Sequence, residues 1–482
     1  MSPETDANGL KRDIGLASAL VLVIANMVGT GVFTTTGFIM AELDSGPALL
    51  ACWLVGGGFA LAGALCYGEL GSRFPKAGGE YAYLYQIFGP LPAFLSGWIS
   101  LIVGFSAPIA AAAIAFSAYI AGQESTPWFT LKILDAQILS ISPASLLACA
   151  IVAVLSLVHC HSLDFGKKVQ NFLTLFKIVL IIGFIIAGFL MRTRGIGEVM
   201  EIPKASSFSS SGFAVALIFV SFAYSGWNAA AYIGGEIKNP GKNLPLALIL
   251  GTIIVTGLYL LLNLVYLFAL PPDRITGVLE IGKVAAVALF GQNIGAVFGI
   301  AVAFGLLSVI SAMIMAGPRV YFAMARDGQF FSSLSKVHET RRTPRRAILF
   351  QGGVAIGMIL LAAFDQLLIY IGFTLSLCAT LTVAGLFRLP RPSVKNPDIY
   401  RCPGYPFIPL FFIAGNIWII CYSIVSRPTA VVFGVLTILA GVAIYALFWQ
   451  RAGIVKSDSG IIHRLENIKQ PMAVTRKYQE PV

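Results

Sequence analysis

Charge is what this 482-residue sequence has least of: Asp, Glu, Lys and Arg make up 11% of it. Soluble domains carry about 25%, so a string of soluble domains is excluded. Histidine is nearly absent, at four residues. The seven cysteines are an odd number, and no pair has the spacing of a metal site or a disulfide framework. Cys52, Cys66, Cys149, Cys378 and Cys421 fall inside apolar runs and read as small packing residues. No metal and no cofactor is expected. A cleavable signal is missing too. Met1–Asp13 carries Glu4, Asp6 and Asp13 beside Lys11 and Arg12, and the apolar run that follows is too long for a signal. The apolar runs hold no Ser/His/Asp, metal-ligand or two-carboxylate constellation, so the chain does not read as an enzyme. No ring-forming acidic or carbonyl filter motif points to a channel.

What remains is apolar: 57% of residues are hydrophobic and the mean hydropathy is +0.84. A charge-free run of about 18 residues or more reads as a transmembrane helix. Twelve such spans are expected, at 14–37, 47–69, 92–121, 143–160, 169–191, 212–235, 244–270, 291–318, 345–364, 366–388, 405–425 and 428–450. Several exceed the necessary length, which implies tilt. The fold class is an all-α membrane protein, and the lipid bilayer is its first partner. The net charge of +11 would suit nucleic acid if it were clustered. Instead, 25 of the 33 Lys and Arg fall on the side shared by the two termini. Seven lie in the opposite loops, and Lys177 lies inside a span. This asymmetry places both termini in the cytoplasm of a multi-pass protein of the cell membrane, and no nucleic-acid partner is needed to explain the charge.

The chain is organised around residues 14–37. This span is interrupted midway by Gly29-Thr30-Gly31. Each Gly costs about 1 kcal/mol relative to Ala in a helix, and in lipid no water can satisfy freed backbone groups. Such a break survives where it is buried in protein or lines a cavity. A ligand that uses its N–H and C=O groups would explain it.

The fifth span carries Gln170, Thr174 and Lys177 at i, i+4, i+7, one face of a helix. Lys177 lies nine residues beyond Lys168, on the order of 13 Å into the bilayer. A lysine at the centre of a membrane helix costs about 2.5–3.5 kcal/mol, so this face should point into the bundle. The carbonyls of a broken helix would be suitable partners. Two readings stay open: a tether for an unwound segment, or a tether that also carries a coupling proton. In the sixth span, Ser225-Gly226 and Trp227-Asn228 interrupt an apolar helix. Spans one and six each open a five-helix block, and five is odd, so the blocks run in opposite directions. Paired interruptions of this kind point to an inverted-repeat transporter with its site at the repeat interface.

Other stretches are less specific. Residues 65–84 end the second span with Glu69, Arg73, Lys76 and Gly78-Gly79. Glu69 is placed to pair with Arg73 or Lys76, either pinning two helices or working a cytoplasmic gate. The third span is rich in small residues around Ala107–Ala113, which argues for a central, closely packed helix. His159 and His161, at the end of span four, read as solvated.

The runs Val28–Phe33, Tyr67–Tyr81, Gln170–Lys177, Phe222–Asn228 and Arg319–Gly328, in that order, resemble the amino acid–polyamine–organocation superfamily. The resemblance covers about residues 10–450 and is greatest to bacterial amino-acid permeases related to the L-type transporters. It implies a LeuT-like 5+5 inverted repeat with discontinuous helices 1 and 6, plus two extra helices. The division is then a cytoplasmic N-terminus at 1–13 and a transporter domain at 14–450, followed by a cytoplasmic tail at 451–482. Within the domain, repeat one spans 14–191, repeat two 212–388 and the extra helices 405–450.

The resemblance also implies the site. The α-carboxylate of an amino acid would meet the N–H groups of Gly29, Thr30 and Gly31. Its ammonium would meet carbonyls at Met27, Phe222, Ala223 and Ser225. A half-helix N-terminus favours an anion and a C-terminus a cation, which agrees. Lys177 would take the place of a sodium ion, which implies a sodium-independent carrier with protons as the candidate coupling ion. Gating candidates are Tyr224, Trp227, Asn228 and Glu69. Cationic relatives carry an acid in helix 3, and residues 98–105 have none. An acid-free pocket disfavours a cationic side chain, so neutral L-amino acids are expected, moved by exchange or proton symport. The alternatives are a polyamine or cationic amino acid antiporter and a non-transporting amino-acid sensor. A sensor would call for an appended signalling domain, and the tail does not resemble one. No partner subunit is evident.

Overall fold

The computed structural model describes residues 12–122, 127–133, 136–161, 163–200, 210–335, 344–361, 364–391 and 399–451. The expected cytoplasmic N-terminus up to Lys11 and the tail beyond Arg451 lie outside the described residues. Ten helices among those described are long and apolar enough to cross a membrane. The chain is therefore a multi-pass, helical membrane protein. Burial sorts these helices into centre and rim. Pro90–Ala121 is 83% buried, and Gln292–Arg326 and Leu367–Arg388 are 72% buried, whereas Pro428–Leu447 is only 22% buried. The alanine-rich third span is central, as its small residues predict.

Two of the twelve expected spans are not among these ten. The sixth contains an apolar helix that ends at Ala223, because a turn follows at 224–228. The ninth is described as the helix Arg345–Leu361, and residues 362–363 that follow it lie outside the described residues. An element outside the all-α expectation also appears. Phe129–Ile133 pairs antiparallel with Ala136–Ile141, with a bulge between Leu131 and Lys132, in the loop between the third and fourth spans.

Two helices break in the middle. The first runs Leu16–Met27, is interrupted over residues 28–30, where Val28 leaves the helical region at ψ 81°, and resumes at Gly31–Thr34 and Thr36–Leu43. The other ends at Ala223 and resumes at Ala229–Tyr232. Its turn contains Gly226 at φ +95°, a conformation glycine adopts at little cost. A Cβ there would also lie 3.0 Å from the Asn26 backbone. The third span bends more gently. Ser100–Ser106 is wound one residue wider than an α-helix just before Pro108. Proline lacks an N–H and its ring crowds the carbonyl four residues back, and a wider turn relieves both.

Glycines set the closest approaches. On the helix Gly46–Arg73, the positions of Gly56, Gly57 and Gly63 face Val220, Thr256 and Trp227 within 2.2–2.7 Å of where a Cβ would stand. This helix packs along Pro240–Ala269, and both flank the broken helices. One end of the bundle carries Arg73, Glu80, Arg319 and Arg391 and is called the basic end below. There Arg319 pairs with Glu236 at 3.1 Å, and the Tyr81 hydroxyl donates to Asp327 at 2.7 Å.

Candidate functional site: two broken helices and the cavity below them

The break in the first helix leaves the carbonyls of its preceding half without i+4 partners. Two side chains from elsewhere take them. Lys177, wholly buried, donates from Nζ to Ala25 O at 3.0 Å and to Val28 O. Its neighbour on the same face, Gln170, donates to Thr174 Oγ1 at 3.0 Å. The second side chain is Tyr259, from the helix Pro240–Ala269. Its hydroxyl bonds to Met27 O and, at 3.0 Å, to Ala223 O. One hydroxyl proton is thus shared between the last carbonyls of both interrupted half-helices. The C-terminal end of a helix is its negative pole, so a donor belongs there.

On the far side of the break, the hydroxyls of Thr34 and Thr35 turn back to Thr30 O and Gly31 O, each at 2.8 Å. The N–H groups of Thr30 and Gly31 make no backbone hydrogen bond among the described residues. The resumed helix is anchored by Thr36 Oγ1 to Asn263 Oδ1 at 2.7 Å and by the Tyr119 hydroxyl to Phe33 O at 2.9 Å. Tyr119 also accepts from Gly282 N at 3.3 Å. It thereby ties helix Ile281–Phe290 over the end of the site farther from the basic residues.

A cavity with about 1000 Å³ of empty space, its mouth included, runs from the second break toward the basic end. Phe222, Ser225 and the gating candidates Tyr224, Trp227 and Asn228 line it, together with Asn26, Phe105, Tyr232 and Glu80. Met27, Gly29, Thr30, Gly31 and Ala223 do not. They form a second group, packed behind the wall, where Gly31 lies directly against Ala223. Trp227 stands edge-on to Tyr67 with ring centres 4.7 Å apart. Tyr224 donates to Trp53 O at 3.0 Å.

Glu69 lies apart from the cavity. It is buried, and it bonds to Arg73, to Arg391 at 3.5 Å and to the N–H of Cys402 at 2.8 Å. Of the two partners considered from the sequence, Arg73 is the one it takes, and the cluster clamps the loop around Cys402 to the second span. The expected acid-free pocket requires correction: helix 3 has no acid, but Glu80 supplies one from the adjoining segment. Gly78 and Gly79 turn the chain back at φ +114° and +55°, which sends Glu80 into the bundle. It accepts from the Tyr67 hydroxyl at 2.6 Å and from Asn228 Nδ2 at 3.1 Å. The expectation for His159 is corrected as well. It is 4% exposed and its Nε2 hydrogen-bonds Ser311 Oγ at 2.8 Å, so it bridges two helices from within the bundle.

An amino acid permease family model matches residues 14–462. The chain belongs to the amino acid permease family. Three relatives illustrate its range. The serine/threonine exchanger SteT of Bacillus subtilis is 32% identical over 446 residues, covering 92% of this chain and 98% of that protein. The human large neutral amino acids transporter small subunit 2 is 31% identical, covering 98% and 88%. The mouse b(0,+)-type amino acid transporter 1 is 30% identical, covering 93% and 90%. Within this permease, Tyr259 and Glu80 are the residues that sequence reasoning missed.

The position of Tyr259 carries a prediction. Tyr259→Phe keeps the ring and removes the shared proton, leaving both buried carbonyls, Met27 O and Ala223 O, without that donor. An unsatisfied buried acceptor costs about 1–3 kcal/mol, so the variant should melt at a lower temperature in detergent and exchange amino acids more slowly. Unchanged melting and unchanged flux would remove Tyr259 from the site.

Proposed function

We propose that this permease is a sodium-independent exchanger of neutral L-amino acids in the cell membrane. Alternating access would be built on a 5+5 inverted repeat with two further helices. The observation that carries the reading is the contact of Lys177 with Ala25 O and Val28 O. A fixed ammonium occupies the negative end of the first half-helix, where a carrier driven by a metal cation would need a vacant oxygen cage. With that charge supplied by the chain, a zwitterion has the two remaining poles: the free N–H groups at Thr30 and Gly31 for its carboxylate, and the carbonyls around Phe222, Ala223 and Ser225 for its ammonium. The ammonium would compete there with the hydroxyl of Tyr259. Gly31 packs against Ala223, so the two half-helices must part slightly to admit the substrate backbone. The side chain would then project into the cavity among Phe105, Tyr224 and Trp227.

The serine/threonine exchanger among the relatives supports exchange as the mode, and the names of the other two support amino acids as the substrate class. The basic loops support both termini on the cytoplasmic side. The test is uptake of labelled amino acids into proteoliposomes, with and without internal unlabelled amino acid. Uptake should require internal substrate and should persist when sodium is replaced by choline. No flux with internal amino acid, with sodium or with a pH gradient would overturn the proposal, and flux that requires sodium would overturn the role assigned to Lys177.

A further inference from the structure

Of the residues lining the cavity, Glu80 alone can carry charge near neutral pH. It is 5% exposed. One carboxyl oxygen, Oε1, takes both hydrogen bonds, from Tyr67 and Asn228, while Oε2 accepts none among the described residues. The titratable groups that face it are Tyr67 from the second span, Tyr83 from its own helix, Tyr232 from the resumed half of the broken helix and Cys378 from the helix Phe364–Ala384. All are neutral at physiological pH. No Lys, Arg or His forms an ion pair with Glu80 among the described residues. Burial pushes its carboxyl up to about 7, against the opposing pull of the bonds from Tyr67 and Asn228. Around it stand aromatic faces: Phe105 and Tyr232 have ring centres 5.5 Å apart, and Trp227 lies on the same cavity wall. An unpaired acid among aromatic rings is the chemistry that holds an organic cation.

Building on exchange as the function, we propose that Glu80 forms a subsite at the basic end of the cavity for the cationic side chain of a basic amino acid, and so sets which side-chain charges the permease accepts. Ionised, the carboxylate pairs with a guanidinium or ammonium. Protonated, it leaves the cavity neutral and open only to uncharged side chains. The permease is then one site with two substrate classes, selected by one proton.

The test uses the whole protein in proteoliposomes exchanging labelled leucine, with arginine as the competing probe at pH 6 and pH 8. With a carboxyl that titrates at about 7, its ionised fraction rises from about one tenth to nine tenths between these values. The arginine concentration that halves leucine exchange should fall by up to about nine-fold. Glu80→Gln should need far more arginine at both pH values and lose the pH step, and Glu80→Asp should recover the step. Thermal stabilisation by arginine or by leucine, measured at the same pH values, provides a readout that needs no flux. Arginine stabilisation at pH 8 that disappears in Glu80→Gln supports the subsite even where exchange is absent, a result that would overturn the transport reading alone. Leucine exchange that arginine does not inhibit at pH 8 overturns the subsite and leaves exchange standing. Equal slowing of both substrates in Glu80→Gln and Glu80→Asp, with the arginine-to-leucine ratio unmoved, also overturns it and makes the cluster a structural latch.

Discussion

Replacing Lys177 with alanine should abolish exchange and lower stability together. The side chain is wholly buried, and its ammonium serves two carbonyls of the broken helix, Ala25 O and Val28 O. Each buried carbonyl left without a donor costs about 1–3 kcal/mol, and the negative end of the half-helix loses its compensating charge. The expected destabilisation is therefore on the order of 2–6 kcal/mol before any cavity is counted. Lys177→Met separates the two contributions, because methionine fills much of the same space and carries no donor. If charge holds the break in place, both variants lose exchange, and Lys177→Met melts at a higher temperature than Lys177→Ala. If packing is what matters, Lys177→Met works. Wild-type exchange rates in Lys177→Ala would remove the residue from the mechanism.

The break and its brace were legible in the sequence because each violates a strong rule. Glycines in the middle of a membrane helix and a lysine at depth are both costly, so each demanded a partner, and the structure pairs them. Tyr259 broke no rule. It sits among leucines in Leu258-Tyr259-Leu260-Leu261 and reads as core. Its two targets, Met27 O and Ala223 O, are backbone atoms far away in the sequence. Only the fold brings both half-helix ends to one hydroxyl. Glu80 was hidden differently. It stands in the charged stretch 65–84, and nothing in its residue type separates it from Glu69, Arg73 and Lys76. The available signal was Gly78-Gly79 just ahead of it: two consecutive positive-φ residues reverse the chain, and a Cβ at Gly79 would lie 2.5 Å from the Tyr232 ring. Tight packing beside a glycine pair meant the following acid faced the bundle. Likewise, His159 looked interfacial by its place at the end of a span, but its hydrogen bond to Ser311 depends on a helix about 150 residues later. The break in the sixth span was legible too: Ser225-Gly226 interrupts the apolar pattern, and the helix ends at Ala223, just ahead of it.

These missed residues change how the site is understood. The predicted substrate residues divide into two groups. Phe222 and Ser225 face the cavity, whereas Gly29, Thr30 and Gly31 do not line it, and Gly31 is packed against Ala223. Asn228 joins the cavity to the basic end, since its amide reaches Glu80 and, at 3.5 Å, the Tyr232 hydroxyl. Movement of the resumed half-helix Ala229–Tyr232 would therefore pull on the helix that begins at Glu80. Gly78 N already donates to Tyr232 O at 3.0 Å. The two segments behave as one unit at the basic end. At the other end, Tyr119 holds the resumed half of the first helix through Phe33 O.

The closest approach in the site makes the second large prediction. A Cβ built on Gly31 falls 2.3 Å from Ala223 Cα, 2.5 Å from Ala223 Cβ and 3.2 Å from Ala223 N. None of these atoms is the free end of a flexible side chain, so Gly31→Ala can be accommodated only if the two half-helices separate. Overpacking a fixed interface costs about 1–3 kcal/mol and often more. Separation also pulls Met27 O and Ala223 O away from the hydroxyl they share. The variant should therefore lose exchange and melt at a lower temperature. Gly58→Ala is the matched control. It lies on an exposed face of the helix Gly46–Arg73 with nothing within 4 Å of its Cβ, and alanine should raise stability by up to about 1 kcal/mol through helix propensity. Adding Ala223→Gly to Gly31→Ala removes the contact at 2.5 Å but leaves the backbone contact at 2.3 Å, so the double variant should recover only part of the loss. Full recovery would mean that the methyl groups, and not the backbones, set the spacing. A Gly31→Ala protein that exchanges and melts like the wild type would mean that the working molecule does not hold its two broken helices this close.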